Sequence, residues 1–249
     1  MATQVFSNCG TYFGQYVIST DMSAVALSTA ADALEKTAMG ATVRTFKKGL
    51  YDTKANVEGY YSAGTGLISP ILDETYFAVQ DVPITIIPLT TQYTENCGAY
   101  SFPATIATWN SFGGVGEMMK FRATAETTAT PAIPGYVAYY GTKTAVGTTY
   151  STALQITGGA PAGKNVYCAL HVFAHSAGGD TLDVTLQNDA LVGFGDPTDC
   201  IAMTQSVAVG YEWKTDVGAA AHAENFWRVK MVLSAEPISI TFAVFFGIY

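Results

Sequence analysis

Hydrophobic and polar residues alternate with a period of two along much of this chain, the pattern of half-buried strands. From Ala55 to Tyr61, one face carries Ala55, Val57, Gly59 and Tyr61, and the other Asn56, Glu58 and Tyr60. From Glu117 to Glu126, Met119, Phe121, Ala123 and Ala125 lie opposite Met118, Lys120, Arg122, Thr124 and Glu126. Further runs predict strands over Val82–Leu89, Tyr136–Tyr140, Val166–Ala174, Thr181–Gln187, Phe226–Leu233 and Ile238–Tyr249. Helical signals are few. Asp73–Gln80 has acids in its first turn and Pro70 just before it, so a short helix is expected there. Ala30–Lys36 has helical propensity, but Gly40 follows soon after and limits it to one or two turns.

The stretch Thr127–Pro134 is small, polar and proline-bearing, with nothing to pack into a core, and reads as an extended linker. It suggests a first β domain over 1–128, a linker over 129–135 and a second β domain over 136–249. The charge does not shift across this point. Seven bases face eleven acids in the first part and five face nine in the second, so each carries −4.

Composition reinforces the strand reading. The chain has thirty-two Thr, 24 Gly and 15 Tyr, and its β-branched, aromatic and turn-forming residues favour sheets over helices. Only 13% of residues are charged, where roughly 25% is usual. Twelve Lys and Arg stand against twenty Asp and Glu, for a net charge of −8. A folded monomer of this mass would expose roughly 10,600 Å², which leaves about one charge per 330 Å². Disordered chains need low hydrophobicity and high charge, and are excluded. A nucleic-acid reader with a basic footprint is excluded by the sign. The low density points instead to a surface partly covered by copies of the chain itself.

No segment has the length and apolarity of a membrane span, since Val82–Thr94 is broken by Pro83 and Pro88 and Thr144–Gly163 is rich in Thr and Gly. The first twenty residues hold no Lys or Arg and no continuous apolar core, so a secretory signal is not expected. Cys9, Cys97, Cys168 and Cys200 are far apart and read as small hydrophobes rather than a disulfide framework.

Candidate chemistry is sparse. His171 and His175 are four apart, but on a strand that spacing separates them by about 13 Å, too far for one ion. Cys168 or His222 could join them, though nothing in the spacing requires it. Gly113-Gly114-Val115-Gly116 precedes a strand rather than a helix and reads as a turn, not a phosphate cradle. Asp180 with Asp183, and Asp196 with Asp199, offer carboxylate pairs in Gly-rich surroundings that turn formation explains. No nucleophile–base pair has the spacing of a known enzyme class. No enzyme, metal or cofactor is expected. Tyr211, Trp213 and Trp227 could form an aromatic platform for a glycan, while Trp227 in Phe226–Val229 also suits core burial.

An ordered series of segments resembles the major tail, or tail tube, proteins of long-tailed bacteriophages. Ile18–Ser23 is similar to that family's early turn after a short strand, and Ala31–Gly40 to its D-x-T-x-x-G loop, with Glu35 in the acidic position. Val43–Asp52 with Asn56–Tyr60 resembles its first hairpin, and Asp73–Ala78 its single helix. Cys97–Phe102 and Gly113–Thr128 resemble its returning hairpin. The second half is similar to an extra β-sandwich of some phage structural proteins, through Thr181–Leu186, Trp227–Val229 and Phe242–Ile248.

The resemblance implies a mainly β chain: a tail-tube-like β-barrel or sandwich with one short flanking helix, followed by a second, outward-decorating β-sandwich. It implies a structural virion protein of the tail, made in the host bacterial cytoplasm. Its copies would form stacked, hexameric rings around a lumen that passes double-stranded DNA without specific binding. Its partners would be itself and other tail proteins such as the tape-measure and tail terminator, with no membrane insertion. Candidate lumen residues on polar hairpin faces are Asp52, Asn56, Glu58, Glu117 and Glu126, diluted by Lys54, Lys120 and Arg122. Alternative expectations are a capsid decoration protein, or a host-glycan-binding module using Tyr211, Trp213 and Trp227.

Overall fold

The computed structural model describes residues 9–19, 22–36, 39, 42–44, 46–61, 72, 76–88, 95–176, 180–216, 222–234 and 239–249. Sixteen strands run in chain order. They are β1 (Gly10–Phe13), β2 (Tyr16–Val17), β3 (Met22–Glu35), β4 (Phe46–Tyr60), β5 (Val82–Ile87), β6 (Cys97–Phe112), β7 (Lys120–Thr127) and β8 (Ile133–Lys143). There follow β9 (Gly147–Tyr150), β10 (Leu154–Gln155), β11 (Val166–His175), β12 (Leu182–Asp189), β13 (Thr198–Ala202), β14 (Gly210–Asp216), β15 (Phe226–Leu233) and β16 (Ile240–Ile248). Every expected strand run has its counterpart, and β15 matches its predicted bounds. Ile238 and Leu89, at the ends of two predicted runs, lie outside the described residues.

The chain divides into two compact units that interleave in sequence. One comprises residues 1–20, 82–101 and 133–249, the other 21–81 and 102–132. The sequence expectation of a cut between 128 and 136 differs from this, and β6 explains why. Its first residues, Cys97 to Ser101, pair with Val137 to Ile133 of β8, whereas Ala104 to Phe112 pair with β7. A sixteen-residue strand shared by two units carries no compositional mark. The expected linker is shorter too, because Ile133, Pro134 and Gly135 already belong to β8.

The unit of 21–81 and 102–132 contains an antiparallel sheet in the order β3-β4-β7-β6. Along β4 the burial alternates without a break from Asp52 to Gly59, with Thr53, Ala55, Val57 and Gly59 inside. Phe121, Ala123 and Ala125 of β7 bury the same face, and the Trp109 ring stacks on Phe121 at 5.0 Å. Ala30–Glu35, expected to have helical character, is strand: Ala30 pairs with Asp52 and Glu35 with Phe46. Pairing to a long partner overrides the modest helix preference of Ala, Leu and Glu.

The flanking helix is not seen. Asp73–Thr75 lie outside the described residues, and Tyr76–Gln80 are not helical. Phe77 bridges to Ile106 of β6, and the Ala78 N–H donates to the Ile106 carbonyl. Ala78 itself has φ 58, a left-handed conformation that a right-handed helix cannot contain. Among the described residues there is no α-helix.

The larger unit is built on a sheet ordered β14-β11-β16-β8-β6-β5-β1-β2, faced by a second sheet in which β15 pairs with β9, β10 and β12, and β12 with β13. Residues 166, 168, 170 and 172 of β11 and 242, 244 and 246 of β16 meet Leu182, Val184 and Leu186 of β12 and Trp227, Val229 and Met231 of β15. This is the sandwich core. The opposite face of the same strands is also covered, by Tyr12, Ile87, Cys97 and Val137 packed on Tyr167, Ala169, Ala243 and Phe245. That double coverage makes β11 and β16 read as nearly continuous apolar runs.

Candidate functional site

The candidate lumen residues gather on one face of the smaller unit's sheet. In the β4–β7 register Lys54 faces Glu126, Asn56 faces Thr124, Glu58 faces Arg122 and Tyr60 faces Lys120. Side chains two apart on a strand share a face, so Asp52, Lys54, Asn56 and Glu58 line up beside Lys120, Arg122, Thr124 and Glu126. Three acids meet three bases, and the ladder is electrically balanced.

The balance is realised in contacts. Arg122 Nε donates to Glu58 Oε1 at 2.6 Å. Lys54 Nζ lies 3.0 Å from Glu126 and 3.4 Å from Asp52, and these two carboxylates hold its ammonium above the ordinary lysine range. Thr124 Oγ1 donates to Asn56 Oδ1 at 2.9 Å. The flanking β3 offers Ala26, Ser28 and Ala30 opposite Asn56, Lys54 and Asp52, so its side of the ladder adds no charge. Such exposed pairs contribute little to stability. Their effect is on the surface potential, because Lys54 and Arg122 each sit against a neighbouring acid, while Lys120 faces Tyr60 at the end of the ladder.

Four of the five candidates, Asp52, Asn56, Glu58 and Glu126, share this face with the diluting Lys54, Lys120 and Arg122, and the register sets Lys54 and Arg122 against acids of the same chain. Glu117 stands apart, in the turn between β6 and β7, where its N–H donates to the Gly114 carbonyl.

The aromatic trio is not brought together. Trp227 is fully buried in the sandwich core, its ring 5.6 Å from Phe246. A glycan cannot reach it, and the three-residue platform is thereby corrected. Trp213 is half-buried against Tyr167, and Tyr211 is exposed at the same face of β14.

His171 and His175 do not converge either. A bulge between Val172 and Ala174 separates them, and His175 turns to the Ser176 carbonyl. His171 is fully buried: Nδ1 donates to the Gly14 carbonyl at 2.7 Å, and Nε2 lies 2.9 Å from Thr85 Oγ1. Burial lowers its pKa to about 4, so the ring is neutral and ties β11 to β5 and to the β1–β2 turn. The paired aspartates are engaged separately: Asp180 accepts from Ser176 Oγ, Asp183 from Gln205 Nε2 and Asp199 from Gln187 Nε2 across the β12–β13 register, while the Asp196 N–H donates to Asp189. Among the described residues no group of three or more His, Cys, Asp and Glu side chains is placed to hold a metal. Gly113–Gly116 forms the expected turn, with Gly116 at φ 86.

No family model and no curated protein matches the chain. Solved structures with a similar chain path include one from the native gene transfer agent virion, at 10% identity and a TM-score of 0.43, covering 55% of this chain and all of that one. Another comes from the tail of the empty gene transfer agent particle, at 11% identity and a TM-score of 0.39, covering 49% and 86%. The Dit protein of phage SPP1 is similar at 11% identity and a TM-score of 0.37 over 97% of this chain and 99% of its own.

Proposed function

We propose that this chain is a structural virion protein, a tail-tube subunit whose copies form stacked, hexameric rings around a lumen for double-stranded DNA during ejection. It works in the virion tail beside partners such as the tape-measure and tail terminator proteins, and it catalyses nothing. The observation that carries the reading is the charge-balanced ladder of Asp52, Lys54, Glu58, Lys120, Arg122 and Glu126 on an open sheet face. Duplex DNA binds wherever lysines and arginines can displace its counterions, and strong binding would stall transit. A face with as many acids as bases, interleaved along the strands and with Lys54 and Arg122 held against acids, gives passing phosphates no net attraction.

Exposed apolar side chains at the turn of the same sheet support the assembly half of the reading. Phe112, Val115, Met118 and Met119 cluster at the β6–β7 turn, and Val115 and Met118 are 110% and 69% exposed. Solvated apolar clusters mark contact surfaces, and a ring supplies identical neighbours to cover them. Sedimentation of the purified protein across a range of concentrations tests this. Growth into large, closed species supports the reading, and a monomer that persists at high concentration with tail partners present counts against it.

A further inference from the structure

We propose that Cys200 is a base-assisted reactive thiol, a site of covalent modification by small uncharged or cationic disulfides. Three strands of evidence in the larger unit meet at its sulfur. Opposite Leu186 and Gln187 of β12, strand β13 presents Ile201 and Asp199, so Cys200 is the extra residue of a β-bulge. Bulges re-aim a side chain out of the regular alternation. Here the sulfur is turned to His222, with Sγ 3.4 Å from Nδ1.

His222 is held at three points, two on its ring and one on its backbone. Its Nε2 lies 2.5 Å from Asp216 Oδ2, at the end of β14. Its backbone carbonyl accepts the Ala160 N–H at 2.7 Å, and its ring meets the edge of Trp227 at 6.3 Å. A carboxylate can only accept, so Nε2 carries the hydrogen and Nδ1 presents its lone pair to the thiol. Cys200 S–H therefore donates to Nδ1, the nearer of its two acceptors, with the Thr198 carbonyl at 3.7 Å. Nucleophile, base and orienting acid stand in the order that activates a weak nucleophile. Cys200 is half-buried on the outermost strand of its sheet, at the margin of the sandwich core.

The thiol is not a standing thiolate. Burial pushes it up to about 12, with the Asp216 and Asp199 carboxylates adding to the rise and the Asn188 N–H opposing it. The same Asp216 charge that resists a free thiolate stabilises the imidazolium. The proton thus leaves only as the sulfur reacts, passing to His222 Nδ1. In the step itself, the Cys200 sulfur pair attacks one sulfur of the disulfide and a new S–S bond forms. The old S–S bond breaks, and the departing thiolate takes the proton back from His222, so a mixed disulfide and a free thiol result. Asp199, Asp216 and the overall charge of −8 disfavour anionic disulfides.

Cys9 provides an internal reference. It is also half-buried, but among the described residues its sulfur meets the Gly10 carbonyl, the Thr11 hydroxyl and the Ile87 backbone, and no base. The test exposes the native protein to cystamine or to oxidised glutathione over a pH series and maps modified cysteines by peptide mass spectrometry. Cys200 is expected to react with cystamine at least roughly tenfold faster than Cys9 at neutral pH, through its general base. Its rate should rise less steeply with pH than that of Cys9, and glutathione disulfide should react more slowly than cystamine. His222→Gln should remove the advantage over Cys9 and restore a rate that rises steadily with pH. Equal or slower labelling of Cys200 in the native protein, or a native rate that climbs with pH as steeply as that of Cys9, would overturn the proposal.

Discussion

Arg122 and Glu58 face one another across the β4–β7 register, with Nε and Oε1 2.6 Å apart on the open side of the sheet. Neither residue is needed to hold the sheet together, since both side chains are well exposed, at 54% and 39%. Their pairing sets what the face looks like to a passing polyanion. Replacing Glu58 and Glu126 together by Gln leaves Arg122 without its acid and Lys54 with Asp52 alone, and the ladder gains two net positive charges. The melting temperature should stay close to that of the parent. DNA retention in low-salt gel shifts should appear where the parent shows none, and should vanish as salt is raised.

His171 makes the larger unit acid-sensitive. Its pKa falls from 6.5 to about 4 on folding. The unfolded chain therefore binds a proton before the folded one does. The stabilisation is fully present above pH 6.5 and is lost as the pH falls towards 4. The loss amounts to about 3 kcal/mol for a shift of this size. Urea titrations at several pH values should show the decline, and His171→Gln should flatten it while lowering the neutral-pH stability.

Two glycines in neighbouring strands should respond in opposite ways to a methyl group. At Gly135 a Cβ would sit 2.2 Å from the Phe246 carbonyl oxygen and 2.7 Å from the Gly247 Cα, where β8 and β16 approach. Backbone cannot yield as a side-chain tip can, so Gly135→Ala should cost about 1–3 kcal/mol or more. A Cβ at Gly98 would meet no atom of the described residues within 4 Å beyond its chain neighbours. Gly98→Ala should leave stability unchanged or raise it slightly, by restricting the unfolded chain. Thermal melts of the two variants make the comparison.

Sequence periodicity revealed the strands because half of each is solvated, as in β4, or because flanking turns delimit it, as in β15. It could not reveal which strands share a unit. That depends on β6, whose two ends pair with different partners while its composition stays uniform. The helix expected over Asp73–Gln80 rested on acids and a preceding proline, and those local preferences yielded at Phe77 to a bridge with Ile106. On the polar ladder, alternation placed Asn56 and Glu58 together, but the register that sets Arg122 against Glu58 is a tertiary fact. Cys200, His222 and Asp216 were beyond sequence reasoning for the same reason. They meet through a bulge and a bridge, and their spacing of 22 and 6 residues matches no motif.

The apolar cluster at the β6–β7 turn offers a direct handle on assembly. Val115 and Met118 are solvated in the single chain, so charging them removes nothing from its core. Val115→Asp with Met118→Asp should leave the melting temperature of the dissociated chain unchanged. Light scattering should show that the parent's concentration-dependent growth is abolished or shifted to much higher concentration.

Negative-stain electron microscopy of the concentrated parent protein tests the central claim most directly, that copies of this chain close around a lumen. Rings or stacked tubes with a stain-filled centre are the predicted result. Dispersed single particles at high concentration, unchanged when purified tail partners are added, would contradict it.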